Sequence, residues 1–250
     1  LGTSYILLQI KLLDVKIKKK HIAIVYIACV HFFLGIVRRV RGKINFVIAH
    51  TDNISFFDVI LSYDSMMDDN VPDGTVIFIG DSITQALCVS AIVPVAVNYG
   101  IGGDTTFGIL RRLPTYRSIC RASAVVFAVG VNDMNYSSNE KILCNYLAIA
   151  ESVPNNITVI FSAVLPISEN VCTKDIRNDC IKALNSGLRA ITLKFENLFF
   201  VNAGPLLIDS QGNLADEYHV GDGLHLNPKG NIILIRELQK AIEGAKQYAA

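Results

Sequence analysis

From residue 76 onward, short apolar runs rich in β-branched residues alternate with longer stretches of mixed polarity. The runs Val76–Ile79, Val93–Asn98, Ala124–Val129, Thr158–Val164 and Leu198–Val201 are predicted as strands. Between them Ile83–Ser90, Thr106–Arg112, Glu140–Ser152, Lys174–Phe195 and Asn231–Tyr248 are predicted as helices. Strands that are apolar at almost every position belong to sheets covered on both faces, and strand–helix alternation builds βαβ units. The pattern therefore predicts the α/β class, with a mostly parallel five-stranded sheet. Residues 44–74 read as a transition: Ile54, Phe57, Val59, Ile60 and Met66 fit one face of a helix, and Met67–Gly74 is a turn-rich break. The globular domain is expected over residues 50–250.

Upstream the pattern changes. Residues 1–20 mix apolar residues with lysines, and the run Ile22–Val37, interrupted by His31, is closed by Arg38, Arg39 and Arg41. A basic flank before a long apolar run has the form of a signal sequence or signal anchor. The run is short against the ~18 to 20 apolar residues of a full span, although Lys20 and Arg38 can snorkel and extend it. The competing reading is a buried N-terminal helix of the domain; basic clusters at both ends suit an interface better. Residues 1–49 are thus expected to form a hydrophobic helix that anchors the chain to a membrane or exports it. The domain is then expected on the periplasmic or extracellular side rather than in the cytoplasm.

That run is the source of the high mean hydropathy, +0.40, in a chain with only 18% charged residues. A net charge of +1 provides no field that would argue for a nucleic-acid partner. The six cysteines, Cys29, Cys88, Cys120, Cys144, Cys172 and Cys180, show no metal-ligand spacing. Cys172 and Cys180 are near enough for a local disulfide; free buried thiols are the plainer reading. Sequons at Asn53, Asn135 and Asn156 matter only on a eukaryotic secretory route.

The candidate chemistry lies where strands end. Val76–Ile79 runs into Gly80-Asp81-Ser82-Ile83-Thr84, a strand–turn–helix junction with a serine at its tip. Ligands of open α/β sheets bind at that edge, and a helix start offers free N–H groups to a developing anion. A serine needs a base, an orienter for the base and oxyanion donors. After the second strand comes the glycine-dense Asn98–Thr106, weak evidence alone; it lacks the dinucleotide pattern. After the third strand comes Gly130-Val131-Asn132-Asp133; an asparagine there more often serves turn geometry, but its amide can also reach a cleft. Before the last helix, which Asn227 caps and Pro228 opens, stands Asp222-Gly223-Leu224-His225. A carboxylate three residues before a histidine can accept its Nδ1–H and leave Nε2 facing a serine. Asp81, Asp104 and Asp133 read as loop-bracing residues, and His219 as a rival base on the same loop as His225.

Four such blocks in this order resemble the signature blocks of SGNH hydrolases, also called GDSL esterases/lipases, over about residues 75 to 245. Asn98–Thr106 is especially similar to the platelet-activating-factor acetylhydrolase catalytic-subunit branch and its bacterial relatives. The resemblance implies a flavodoxin-like three-layer α/β/α fold with neither metal nor organic cofactor. It implies Ser82 as nucleophile, His225 as base and acid, and Asp222 as its orienter. The oxyanion would be held by the N–H groups of Ser82 and Gly103 and the amide of Asn132. The expected activity is hydrolysis of a small-molecule, glycan or lipid ester through an acyl-serine; short loops lean the choice toward acetyl or other short acyl groups. The alternatives are acyl transfer to a glycan or lipid hydroxyl, and a membrane-tethered binding module whose catalytic set is vestigial.

Overall fold

A computed structural model describes residues 55–248. The candidate anchor 22–37 and the whole segment 1–49 lie outside them. Five strands form one sheet: β1 (Val76–Gly80), β2 (Ala96–Gly100), β3 (Ala124–Ala128), β4 (Thr158–Ser162) and β5 (Leu198–Val201). Their order is β2-β1-β3-β4-β5 and every pairing is parallel, the arrangement of flavodoxin-like sheets. In register, Gly80 stands beside Gly100 on one side and Ala128 on the other, so three strand ends are level at the carboxyl edge.

The helices are α1 (Phe56–Asp68), α2 (Ser82–Gln85), α3 (Thr106–Arg112), α4 (Asn139–Ser152), α5 (Asn178–Thr192) and α6 (Pro228–Tyr248). Alternation along β1 separates two cores. Ile77 and Ile79 pack with Ile109, Ile142, Tyr146, Leu184 and Leu188 from α3, α4 and α5. Val76 and Phe78 face the other way, toward Leu234, Leu238 and Ile242 of α6. The inner strands β1, β3 and β4 are consequently covered on both sides, the reason their sequences show no polar alternation.

Three predicted elements are corrected. The helix Ile83–Ser90 stops after one turn, because Asn98 Nδ2 donates to the carbonyls of Thr84 (2.7 Å) and Leu87 (3.0 Å), capturing acceptors that a continuing helix would use. The second strand starts at Ala96 rather than Val93, since Pro94 has no N–H to give to the ladder, and it extends through Gly100. The fourth helix begins at Asn178, not Lys174. Its first N–H is taken by the Glu169 carboxylate at 2.6 Å, and residues 174–177 remain outside the helix.

Helix α1 also docks differently from its predicted apolar face. Phe57, Val59 and Ile60 are half-buried, Met66 is exposed, and the fully buried positions are Asp64 and Asp68. Asp68 accepts from Tyr99 Oη (3.0 Å), the Ser118 N–H (3.1 Å) and the Ser118 hydroxyl. Asp64 accepts from Tyr116 Oη at 2.9 Å and lies 3.9 Å from the Arg112 guanidinium. Burial pushes the Asp64 carboxyl up to about 6, although Tyr116 and Arg112 oppose the shift. Cys172 and Cys180 are free thiols, and Cys88, Cys120, Cys144 and Cys180 are exposed rather than buried.

Arg112, 1% exposed, is the hub of this cluster. Removing one partner of a buried ion pair typically costs ~3 to 5 kcal/mol, so Arg112→Met is expected to lower the urea-unfolding free energy by about that much. A loss under ~1 kcal/mol would show that the guanidinium is dispensable. For Asp64 the raised value means stability that is present below its ordinary carboxylate range and lost as pH rises through about 6. Asp64→Asn should therefore gain on the wild type in urea midpoint as pH is raised from roughly 4 to 7; parallel curves would contradict this.

Candidate active site

The carboxyl edge of the sheet gathers the four candidate loops. The turn after β1 is sharp because Gly80 has neighbours where a side chain would start. A Cβ there would meet Ala128 O at 2.2 Å and Thr84 Oγ1 at 2.1 Å. Asp81 caps α2 by accepting the Ile83 N–H at 3.0 Å. With one turn only, α2 contributes local N–H groups at Ser82 rather than a long helix dipole.

Ser82 Oγ lies 2.8 Å from His225 Nε2, and His225 Nδ1 lies 2.6 Å from Asp222 Oδ2. The other oxygen, Asp222 Oδ1, accepts the N–H groups of Leu224 and His225, both at 2.9 Å. Burial disfavours the ionised carboxyl, but these bonds outweigh it and hold Asp222 down at about 2. An ionised carboxylate only accepts, so Nδ1 carries the imidazole proton and Nε2 is left to accept from the serine hydroxyl. The three residues that the sequence places 143 positions apart at their extremes thus form one continuous hydrogen-bonded chain.

The Asp222–His225 loop is braced by its neighbours. Gly223 O accepts the Ser168 N–H at 2.8 Å, and Asn227 Oδ1 caps α6 through Lys229 N and Gly230 N. His219 is part of this bracing. The sequence does set a carboxylate, Asp216, three residues before it, so Asp-x-x-His spacing does not separate the two histidines. Position does: His219 is buried, its Nδ1 accepts the N–H groups of Gly221 (2.9 Å) and Gly223 (3.2 Å), and Asp216 lies 3.4 Å from its Nε2. It holds the loop on which His225 stands.

On the opposite side, Gly102 N donates to Gln85 Oε1 at 2.8 Å, drawing the glycine turn against α2. An ideal Cβ at Gly102 would come within 3.9 Å of Ser82 Cβ. Gly103 has φ +80° with open space around it, so a glycine is required there by backbone conformation and not by crowding. The N–H groups of Ser82 and Gly103 have no acceptor among the described residues. Asn132 has right-handed helical backbone angles, so left-handed turn geometry is not why an asparagine is present. Its Nδ2 donates to Asp104 O at 3.0 Å, immediately after Gly103, and its Oδ1 accepts from Lys174 Nζ at 2.7 Å. Lys174 is the site residue that sequence reading missed; inside a predicted helix it has no reason to face the cleft.

The neighbouring aspartates hold the loops. Asp104 pairs with Arg112 at 2.8 Å and accepts the Thr105 N–H, and Asp133 accepts both the N–H and the hydroxyl of Thr106. Burial raises both carboxyls, and it pushes Asp81 up to about 7. Among the described residues no cluster of histidine, cysteine and carboxylate side chains is arranged to hold a metal ion.

Residues 78–232 match the model of the GDSL-like lipase/acylhydrolase family. The chain is 28% identical over 177 residues to platelet-activating factor acetylhydrolase IB subunit alpha1 of Rattus norvegicus, covering 67% of this chain and 74% of that one. Among solved structures, a candidate platelet activating factor from Streptococcus pneumonia superposes with a TM-score of 0.70 at 23% identity, covering 82% of this chain and 99% of the other. An acetylxylan esterase from Geobacillus stearothermophilus superposes with a TM-score of 0.56 at 17% identity, covering 68% and 94%. The two structural likenesses speak for the fold, and the family match for the chemistry. The chain belongs to the GDSL-like lipase/acylhydrolase family and is a carboxylic ester hydrolase.

Proposed function

We propose that the protein hydrolyses short-acyl esters, acetyl esters first, through an acyl-serine on Ser82. The observation that carries the reading is the chain of short contacts from Ser82 Oγ through His225 to Asp222. Ser82 Oγ attacks the acyl carbonyl as its proton passes to His225 Nε2. Asp222, ionised, keeps the imidazole in the required tautomer and stabilises the cation that forms. The negative oxygen of the tetrahedral intermediate is received by the N–H groups of Ser82 and Gly103 and by Asn132 Nδ2. His225 then protonates the departing alcohol, and a water deprotonated by the same imidazole releases the acid and restores Ser82.

The preference for a short acyl group is supported by the short loops around the site, Ser137–Lys141 and Ile167–Lys174, and by what the relatives are named for. The rat relative is named for acetyl hydrolysis and the Geobacillus enzyme for acetylxylan. The alcohol side is a small-molecule, glycan or lipid ester. The same proposal has residues 22–37 anchor the domain on the exported face of a membrane, supported by the apolar run between Lys20 and Arg38. Full-length chain should then stay with membranes through a high-salt wash; release by salt would limit the attachment to the basic clusters.

In a p-nitrophenyl ester series, turnover should be greatest for acetate and fall with chain length. Ser82→Ala should abolish turnover and labelling by a fluorophosphonate probe. An unlabelled wild type would favour a vestigial binding module, and products that change when a sugar acceptor is added would favour acyl transfer. Asn132→Ala should lower kcat by ~10² to 10³ with little change in KM, the usual loss for one oxyanion donor. His225→Ala should remove activity while leaving Tm unchanged, whereas His219→Ala should lower Tm, because it takes the acceptor from the N–H groups of Gly221 and Gly223, the latter buried.

A further inference from the structure

Asn132 has three hydrogen-bonding functions to allot: one carbonyl oxygen and two N–H donors. Its carbonyl faces the Lys174 ammonium at 2.7 Å, and one N–H is spent on Asp104 O at 3.0 Å. The second N–H has no acceptor among the described residues. Flipping the amide would set its NH₂ against the ammonium, which donates only, and its oxygen against the Asp104 carbonyl, which accepts only. Both neighbours therefore demand one orientation, and of the two only Lys174 is a side chain that evolution can exchange.

We propose that Lys174 is the positioning residue of this active site, locking the Asn132 amide by its Nζ–Oδ1 contact so that the free N–H meets the oxyanion. The inference rests on the assignment of Asn132 as an oxyanion donor. Lys174 acts in two ways. It removes the flipped state, and its charge draws electron density toward Oδ1, making the remaining N–H a stronger donor to a negative oxygen. The effect is larger in the transition state than in the ground state, because only there does the acceptor carry charge. Asn132 is buried and Lys174 half-buried, so water is partly excluded from the contact.

The local fold supplies this contact at some expense of helix. Glu169 takes the Asn178 N–H and starts α5 there, leaving 174–177 outside the helix, from where Lys174 Nζ reaches Asn132. Had the helix begun at Lys174, its side chain would lie along a helix surface. Ile176 N donates to Lys174 O at 2.9 Å, a tight turn that fixes the backbone at Lys174.

The test is a double-mutant cycle on the full chain with p-nitrophenyl acetate, a neutral substrate. Lys174→Met should lower kcat about tenfold with KM within about twofold and Tm unchanged, while Lys174→Arg, which keeps a donor, should recover most of the rate. In the Asn132→Ala background, Lys174→Met should produce no further loss, since the group it positions is gone. Wild-type kcat in Lys174→Met, with Asn132→Ala impaired, would overturn the inference and leave the oxyanion assignment standing. A full additional loss in the double variant would also overturn it, by showing that the ammonium acts elsewhere. If Asn132→Ala alone is as fast as wild type, the oxyanion assignment fails and this inference falls with it.

Discussion

The buried Arg112 guanidinium organises this molecule's carboxyl edge. Its Nε donates to Asp104 at 2.8 Å and its two terminal nitrogens reach Tyr99 O, Tyr116 Oη and Gly80 O at 2.8, 2.6 and 3.1 Å. Gly80 and Tyr99 belong to the ends of β1 and β2, and Asp104 to the glycine turn. One planar fork thereby ties the strand that presents the serine to the loop that presents Gly103. Tyr116 stacks on Tyr99 with ring centres 4.4 Å apart and passes the connection to Asp64, so α1 is fastened to the same point. Arginine suits the task because it stays charged when buried and offers several donors in one plane.

Around that hub the loops are held by side chains rather than by backbone ladders. Asp133 receives the start of α3 through Thr106, and Asn145 of α4 donates to the Thr106 hydroxyl at 2.8 Å. Gln85 fixes Gly102, Asn98 ends α2, and Glu169 starts α5. Catalytic geometry demands side chains held within fractions of an ångström, and βα loops have no ladder to supply that. Buried polar contacts take its place.

The electrostatic division among the carboxylates follows from the same arrangement. Asp222, exposed and bonded by an imidazole and two N–H groups, is held ionised. Asp81, Asp104 and Asp133 are buried and shifted upward, and each is committed to a cap or an ion pair. Four aspartates within one rim thus have separate jobs, set by burial and by which donors face them.

Local pattern determined much of this protein. Uninterrupted apolarity in Val76–Ile79 and Ala124–Val129 is dictated by burial on both faces, and a strand followed by Gly80-Asp81-Ser82 can only turn sharply. The order of the serine, glycine, asparagine and Asp-x-x-His blocks was legible because each follows its own strand, and parallel strands bring such ends to one edge. What the tertiary structure alone decided is where long-range polar contacts override local preference. Asn98 stops a helix that propensity would continue, Asp64 and Asp68 seat α1 where an apolar stripe was expected, and Lys174 leaves a predicted helix to reach Asn132. His219 and His225 have the same spacing from an aspartate, and only their surroundings distinguish a brace from a partner of Ser82. Periodicity records which face a residue turns to the core; it holds no information about which distant donor will meet which acceptor.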